Sequence, residues 1–262
     1  MPPLAEILGQ LHGGYSISFM GPRLSGPREE TYNIYLPDVS GVQAFHSIQL
    51  GYQVWPDLQI GFGESIVQNL IEGVRGETGI VHHRSVDALD PYLYLSMPRL
   101  FRIPGWSVLT TATLSLPVTD ASSEAARITS ITFAQSWGVL TGSRWRLGFD
   151  VFLNPQFYSD PLPEGFQDRQ TFYASAGPMA GLELLPAVLL RLDAHFTVEH
   201  RAPDPRGFWT LGPGLPDTTR MTLAWSPQSE RVFSSVSLYF QSLIREPSSR
   251  TSIVGAGMSL GF

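Results

Sequence analysis

The stretch "SIVGAGMSLGF", residues 252–262, alternates between two kinds of side chain. Apolar residues occupy every second position from Val254 to Phe262, and glycine or serine fills the positions between them. A period of two is typical of a β-strand with two unlike faces, because successive side chains point to opposite sides. The pattern therefore predicts a strand here, with its last residues held in a sheet.

The same alternation recurs along the chain, for example from Trp145 to Leu153 and from Leu190 to Val198. Helical periodicity is found only in "PPLAEILGQL" near the start, where residues 1–10 are predicted to form a short helix or plug segment. The alternating stretches are separated by Gly- and Pro-rich segments, and together these features predict about twelve strands. They are expected at 11–20, 31–54, 58–69, 91–100, 106–117, 128–140, 144–154, 171–184, 188–199, 219–226, 232–242 and 252–262.

Short and long connections alternate between these strands. "WPD" (55–57) and "TGS" (141–143) are short, whereas "VTDASSEAAR" (118–127) and "PQFYSDPLPEGFQDRQ" (155–170) are long and polar. This alternation predicts an antiparallel up-and-down meander with tight turns at one end and loops at the other. Five tryptophans fall at or near the tight-turn end, as expected of an aromatic girdle at a membrane interface: Trp55, Trp106, Trp137, Trp145 and Trp225.

The composition limits the possible functions of the 262-residue chain. Charged residues make up 15% and apolar residues 43%, which indicates that much of the surface does not face water. A net charge of −6 without any basic run argues against nucleic acid as a partner. Cysteine is absent, which excludes disulfides, thiolate metal ligands and a cysteine nucleophile.

Taken together, these patterns resemble those of bacterial outer-membrane β-barrel proteins. The resemblance implies an all-β fold, a transmembrane antiparallel barrel of about twelve strands with short periplasmic turns and long extracellular loops. A soluble sandwich is the alternative, but closure without an edge is what a lipid environment requires. Residues 1–262 are expected to form one barrel domain in the bacterial outer membrane, although "MPPLAE" contains no signal peptide.

The resemblance also implies partners. Outer-membrane lipids would surround the barrel, the outer-membrane assembly machinery would insert it, and small solutes could pass through it. Phe262, preceded by Leu260 and Met258 at every second position, looks like the C-terminal assembly signal of these proteins.

A set of charged side chains shares the polar faces of neighbouring strands and is predicted to line the pore. A paired network that fills a narrow lumen and the acid–base apparatus of a lipid hydrolase are the alternatives. Arg191 is expected near Glu183 and Glu199 near Arg220, which would leave Asp193 and His195 less compensated and favour cations. The predicted pore-lining residues are Arg146, Asp150, Glu183, Arg191, Asp193, His195, Glu199 and Arg220.

No catalytic motif stands out. His46 and Ser47 are adjacent in one strand and must face opposite sides, so they cannot form a Ser–His pair. His195 could reach Thr222 or Ser175 on a neighbouring strand, but no spacing distinguishes either pair. His82 and His83, near Glu77 and Asp87, lack the fixed ligand set of a metal site. We therefore predict no catalytic residue, no metal and no cofactor.

The favoured function is a narrow passive channel for small hydrophilic solutes. The alternatives are a closed structural or interaction barrel that binds a partner through its loops, and a lipid-modifying outer-membrane enzyme.

Overall fold

The computed structural model describes residues 9–23, 43–70, 73–74, 81–82, 85–98, 100, 103–124, 126–141, 144–159, 169–202, 212–213, 217–227, 233–244 and 252–261. This part of the chain contains β-strands and one short helix, α1 (Asp120–Glu124). The strands are β1 (Leu11–Arg23), β2 (Gln43–Trp55), β3 (Leu58–Asn69), β4 (Gly73–Val74), β5 (Val81–His82), β6 (Ser85–Ala88), β7 (Tyr92–Met97), β8 (Trp106–Ser115), β9 (Arg127–Thr141), β10 (Trp145–Tyr158), β11 (Arg169–Leu185), β12 (Val188–Ala202), β13 (Gly212–Pro213), β14 (Thr218–Trp225), β15 (Phe233–Leu243) and β16 (Ile253–Gly261).

These strands form a closed antiparallel barrel with 12 strand positions. Each strand pairs with its neighbours in chain order, and β1 pairs with β16 to close the barrel. β6 and β7 both pair with β3 and share one position in the barrel, while β13 only extends the β12 edge. The short β4–β5 hairpin is separate. The predicted fold class is therefore confirmed.

The strands are tilted with respect to the barrel axis. The row of paired residues that begins at Leu11, the first residue of β1, reaches Val198 close to the loop end of β12. Each step from one strand to the next thus moves the row toward the loops. Such a stagger accompanies the tilt of about 35–45° that is usual in membrane barrels.

The outer face of the barrel is apolar and the inner face is polar, as the alternation predicts. Leu192, Phe149 and Leu238 point outward, and all three are exposed on the isolated chain. All five tryptophans of the predicted girdle lie toward the tight-turn end of their strands. Within the described part of the chain, none of the helical segments has the length and hydropathy of a transmembrane helix.

The observed elements differ from the predicted ones at three places. β10 continues through Pro155 to Tyr158, with Pro155 opposite Phe172 of β11. Beside the proline, which has no N–H to offer, the Asn154 side-chain amide donates to the Ile131 carbonyl at 3.3 Å. β6 lies in the connection between the expected strands 58–69 and 91–100, where no strand is predicted. The predicted polar connection at 118–127 contains α1, which begins after Thr119.

Three expectations fall partly or wholly on residues that the structure does not describe. Residues 1–8 of the predicted helix or plug lie outside the described residues, and so do residues 31–42 of the predicted second strand. Phe262 of the predicted assembly signal is also outside, whereas Leu260 and Met258 are described and point outward.

Candidate functional site

The strand register brings the eight predicted pore-lining residues to the interior of the barrel. Arg146 and Arg191 both lie opposite Gly181, and Asp150 lies opposite Gly177. His195 lies beside Gly177 on β12, where a Cβ added to the glycine would be 3.3 Å from the His195 Cα. Because paired residues share a face, these positions on β10, β11 and β12 point into the lumen together. Glu183, Asp193, Glu199 and Arg220 belong to the same face by the same register.

Six of these residues form what we call the lumenal charge cluster: Arg146, Asp150, Glu183, Arg191, Asp193 and His195. Arg191 is its centre, with Nη2 2.5 Å from the Asp150 carboxylate and Nε 3.2 Å from that of Asp193. Asp193 also contacts His195, whose Nε2 is 2.9 Å from the carboxylate. Arg146 lies 3.9 Å from Glu183.

The predicted pairing within this set is wrong. Glu183 lies opposite Leu189, two residues from Arg191 toward the turn, so it contacts Arg146 instead. Asp193, expected to be uncompensated, contacts both Arg191 and His195, and its side chain is only 5% exposed.

Glu199 and Arg220 are also not partners. β14 begins at Thr218 opposite His195, which places Arg220 opposite Asp193 and several residues below Glu199. Arg220 donates to the side-chain amide oxygen Oε1 of Gln241 and lies over the Tyr239 ring, 4.9 Å from its centroid. Glu199 accepts from Arg201 and from the Gln170 amide.

A serine extends the cluster on its loop side. Ser175 is buried on β11, and its Oγ lies 3.5 Å from Nδ1 of His195, while Nε2 of the same ring contacts Asp193. The order of hydroxyl, imidazole and carboxylate is that of a nucleophile with its base and orienting acid. The sequence named Ser175 as one candidate partner of His195. The structure selects it over Thr222, which lies opposite Arg191.

The opposite side of the lumen is covered by tyrosines, which the sequence analysis did not single out. Tyr94 lies against Gly61 so closely that a Cβ there would be 2.5 Å from the ring carbon Cζ, and Tyr92 lies on Gly63 in the same way. The Tyr92 hydroxyl accepts a hydrogen bond from the Gln49 amide at 2.8 Å. The sequence contains both parts of this contact: two glycines at every second position of "GFGES" (61–65) and two tyrosines at every second position of "YLYL" (92–95). Nothing in either stretch indicates that the tyrosines pack on the glycines.

Cavities adjoin both sides of the lumen. One of about 320 Å³ lies between β8 and β12 and is lined by Arg146, Arg191, Met179 and Leu189. A second of about 220 Å³ is lined by Ser175, His195, Asp150 and Phe152. A third of about 290 Å³ lies beside Tyr92 and Tyr94. Space for small molecules is therefore present next to the charge cluster.

At the loop end, Asp90 joins the β6–β7 connection to α1. Its carboxylate accepts hydrogen bonds from the Thr119 backbone N–H and hydroxyl, at 3.1 and 2.8 Å, and from the Ser122 hydroxyl. Burial raises the pKa of the Asp90 carboxyl, but these hydrogen bonds and the nearby Arg127 charge outweigh it. The pKa of Asp90 therefore lies below its ordinary value.

The possible metal ligands of the longest loop are only partly visible. Glu77 and His83 lie outside the described residues. Among the residues that the structure does describe, no group of three or more histidine or acidic side chains is arranged to hold a metal ion.

No protein-family model and no curated protein sequence matches this chain. Among solved structures, the COG4313 outer membrane channel from Pseudomonas putida F1 superposes with a TM-score of 0.62 at 11% identity, covering 97% of this chain and 96% of that one. The NanC porin gives 0.49 at 6% identity, covering 96% and 98%. Outer membrane phospholipase A from Escherichia coli gives 0.39 at 12% identity, covering 95% and 89%.

At these identities the likeness concerns the fold alone, and only the first of the three is close enough to support an argument. The fold is that of bacterial outer-membrane β-barrels. A closed barrel with an apolar outer face satisfies its backbone polar groups internally, as a membrane-spanning protein must. This agrees with the predicted location in the outer membrane.

Proposed function

We propose that this chain is a narrow passive channel for small hydrophilic solutes. The observation that supports the proposal is the lumenal charge cluster, since charged side chains facing a barrel interior beside open cavities provide a polar path through an apolar membrane. The superposition on an outer membrane channel agrees with it at the level of the fold.

We infer a mild anion preference from the exposure of the charged groups in this cluster, whereas the sequence predicts a preference for cations. Side-chain exposure is 57% for Arg146 and 38% for Arg191, against 36% for Glu183, 18% for Asp150 and 5% for Asp193. The two guanidinium groups are therefore the most exposed charges of the cluster. We expect a mild anion preference, weakened by salt as exposed charges are screened.

A planar-bilayer recording of the refolded barrel tests the proposal. Steady single-channel steps are expected, with a reversal potential in a KCl gradient that indicates anion preference. Silence from correctly folded protein, judged by its circular dichroism and heat-resistant migration on a gel, would reject the channel.

A second function, ester hydrolysis, is favoured by the chain from Ser175 through His195 to Asp193. The Ser175 hydroxyl would attack an ester carbonyl and give its proton to Nδ1 of His195, while Asp193 stabilises the imidazolium. The same proton would then leave with the alcohol, and water would release the acid from the acylated serine. The 3.5 Å separation of Ser175 and His195 is longer than a working nucleophile–base contact, which makes this the second choice.

Labelling with a fluorophosphonate separates the two functions. A reactive serine would label in the wild type and not in Ser175→Ala. Ser136→Ala is the matched control, because Ser136 lines the same cavity as Ser175 and His195. If neither the wild type nor the two variants are labelled, the hydrolase function is rejected.

The remaining alternative, a closed barrel that binds a partner, stays a prediction. Most of the loops that would contact such a partner lie outside the described residues.

A further inference from the structure

The outer face of the barrel contains a polar patch within its apolar surface. We define the outer polar patch as Tyr15, His46 and Glu64, at outward positions of β1, β2 and β3. Glu64 lies between Phe62 and Ile66 on its strand and opposite Ile48 on the next, and Ile48 and Phe62 are exposed like their apolar neighbours. Among the outward positions of the described strands, Glu64 is the single carboxylate.

A carboxylate at this place is unfavourable in lipid unless it has a partner. Glu64 is exposed and has no hydrogen bond or ion pair with any residue that the structure describes. Ionisable residues within the hydrocarbon region are costly, and they normally pair with a polar group or face water. By register, His46 is the outward polar side chain nearest to Glu64. Its Nδ1 is already hydrogen-bonded to the Tyr15 hydroxyl, 2.8 Å away.

The geometry of the patch is self-complementary. His46 lies opposite Ile66 and Glu64 lies opposite Ile48, so that the four side chains form a square across β2 and β3. Pairing rows climb toward the loops from β2 to β3, and the strands are tilted by about 35–45°. The diagonal from His46 to Glu64 therefore lies close to the membrane plane, and that from Ile48 to Ile66 close to the membrane normal.

We propose that a second copy of this chain covers the outer polar patch, with a two-fold axis along the membrane normal through Ile48 and Ile66. Two copies inserted in the same direction can be related only by such an axis. It places His46 of each copy at the height of Glu64 in the other, which gives two identical contacts. An isologous interface of this kind needs a donor and an acceptor at equal height on either side of the axis, and the patch supplies both.

Tyr15 prepares the histidine for this contact. When its hydroxyl donates to Nδ1, the ring proton resides on Nε2 and can be donated to the Glu64 carboxylate of the second copy. The surrounding leucine, isoleucine and phenylalanine side chains exclude water from the pair, so a charge-assisted hydrogen bond there is strong. The proposal does not depend on whether the lumen conducts.

An exchange of the two side chains tests the pairing. Native mass spectrometry of the wild type released from micelles should show dimers. Glu64→His and His46→Glu should each raise the dimer dissociation constant at least tenfold, because like residues then meet across the axis. The double variant should restore dimers. Gln135→Leu, which removes an outward polar side chain on β9, is the matched control and should keep them.

A monomeric wild type would overturn the proposal, and so would single variants that dimerise like the wild type. Loss in both single variants without recovery in the double variant, or equal loss in Gln135→Leu, would overturn it as well.

Cross-linking in membranes tests the position of the axis. The chain contains no cysteine, so a single introduced thiol reports one contact. Ile48→Cys should form a disulfide-linked dimer under mild oxidation, because the two copies of this position meet on the axis. Leu223→Cys, outward on β14, should remain monomeric. Equal cross-linking of both positions, or none at Ile48→Cys, would reject the interface.

Discussion

Arg191 binds Asp150 across the full width of strand β11, with Nη2 2.5 Å from the carboxylate, although the two residues belong to strands that are not neighbours. The residues of β11 that lie directly opposite them are Gly181 and Gly177. Neither has a side chain, so the guanidinium can cross the strand within the lumen. The glycines of β11 thus determine which charges meet.

Gly177→Ala should disrupt this contact. A Cβ at this position would lie 1.7 Å from the Ala194 carbonyl oxygen, and the strand must move to admit it. We expect a loss of about 1–3 kcal/mol in the free energy of unfolding, the usual cost of overpacking. Gly14→Ala is the control, because its Cβ would have 3.7 Å to the nearest atom. Urea unfolding in lipid vesicles measures both, and equal losses would contradict the prediction.

Arg146→Gln and Glu183→Gln should shift ion selectivity in opposite directions. The first removes the most exposed cation of the cluster and the second removes its carboxylate partner. In a tenfold KCl gradient, the reversal potential should move toward cation preference for Arg146→Gln and toward stronger anion preference for Glu183→Gln. Arg220→Gln should have less effect, since its guanidinium is bound to Gln241 and Tyr239. Shifts of the same sign for the first two variants would show that the cluster does not line the path.

Leu192→Arg and Phe149→Arg should destabilise the barrel in a bilayer. Both positions point outward toward lipid, where a guanidinium costs about 2–4 kcal/mol near the midplane. Ser107→Arg, which points into the lumen beside the largest of the three cavities, should cost less than about 1 kcal/mol. Heat-resistant migration on a gel and vesicle unfolding titrations measure the difference. A larger loss for Ser107→Arg than for Leu192→Arg and Phe149→Arg would show that the inner and outer faces have been interchanged, and equal losses would contradict the prediction.

Asp90→Asn should lower stability at neutral pH and have no effect in acid. The pKa of Asp90 lies below its ordinary value of 3.8, so the carboxylate binds its partners most strongly when charged. Its contribution, about 1–3 kcal/mol for hydrogen bonds to a buried charge, is complete above pH 4 and is lost as the pH falls through the lowered value. The unfolding free energies of the two proteins should therefore differ at pH 7 and converge as the pH is lowered stepwise through the lowered pKa of Asp90. A difference that grows in acid would show that the sign is wrong.

Deletion of Phe262 should impair assembly in cells more than refolding in detergent. The expectation follows from the resemblance of the final strand to an assembly signal, in which Leu260 and Met258 also point outward. The measurement is the amount of folded barrel in isolated outer membranes, with an internal substitution such as Val236→Ala as the control. If the deletion variant reaches normal levels in the outer membrane, Phe262 has no role in assembly.

Strand positions and faces could be predicted because they depend on local alternation. Trp145 and Leu147 lie on one face and Arg146 on the other whatever their neighbours are, and the low charge of the chain favours the apolar face as the outer one. The partners of the charged residues could not be predicted in this way. Glu199 and Arg220 each lie on the expected face, yet β14 starts several residues below Glu199, and only the register between the two strands reveals it. Ser175 was one of two equal candidates for His195 for the same reason.

The junction between β1 and β16 differs from the other strand pairs in what faces the lumen. Gly14 lies opposite Gly261, Ser16 opposite Ser259 and Ser18 opposite Gly257, so the inner side chains of these pairs are small. Nearer the loops, the Tyr239 ring passes over Gly255, and its hydroxyl donates to the Phe19 carbonyl, 3.2 Å away. Glycine and serine would tolerate a shift of one strand along the other on that side. On the outer side, Tyr15, Ile17 and Phe19 oppose Leu260, Met258 and Ala256, and a one-residue slip would turn them away from lipid. Contact with lipid on the outside and Tyr239 on the inside therefore act together to align the final closure of the barrel.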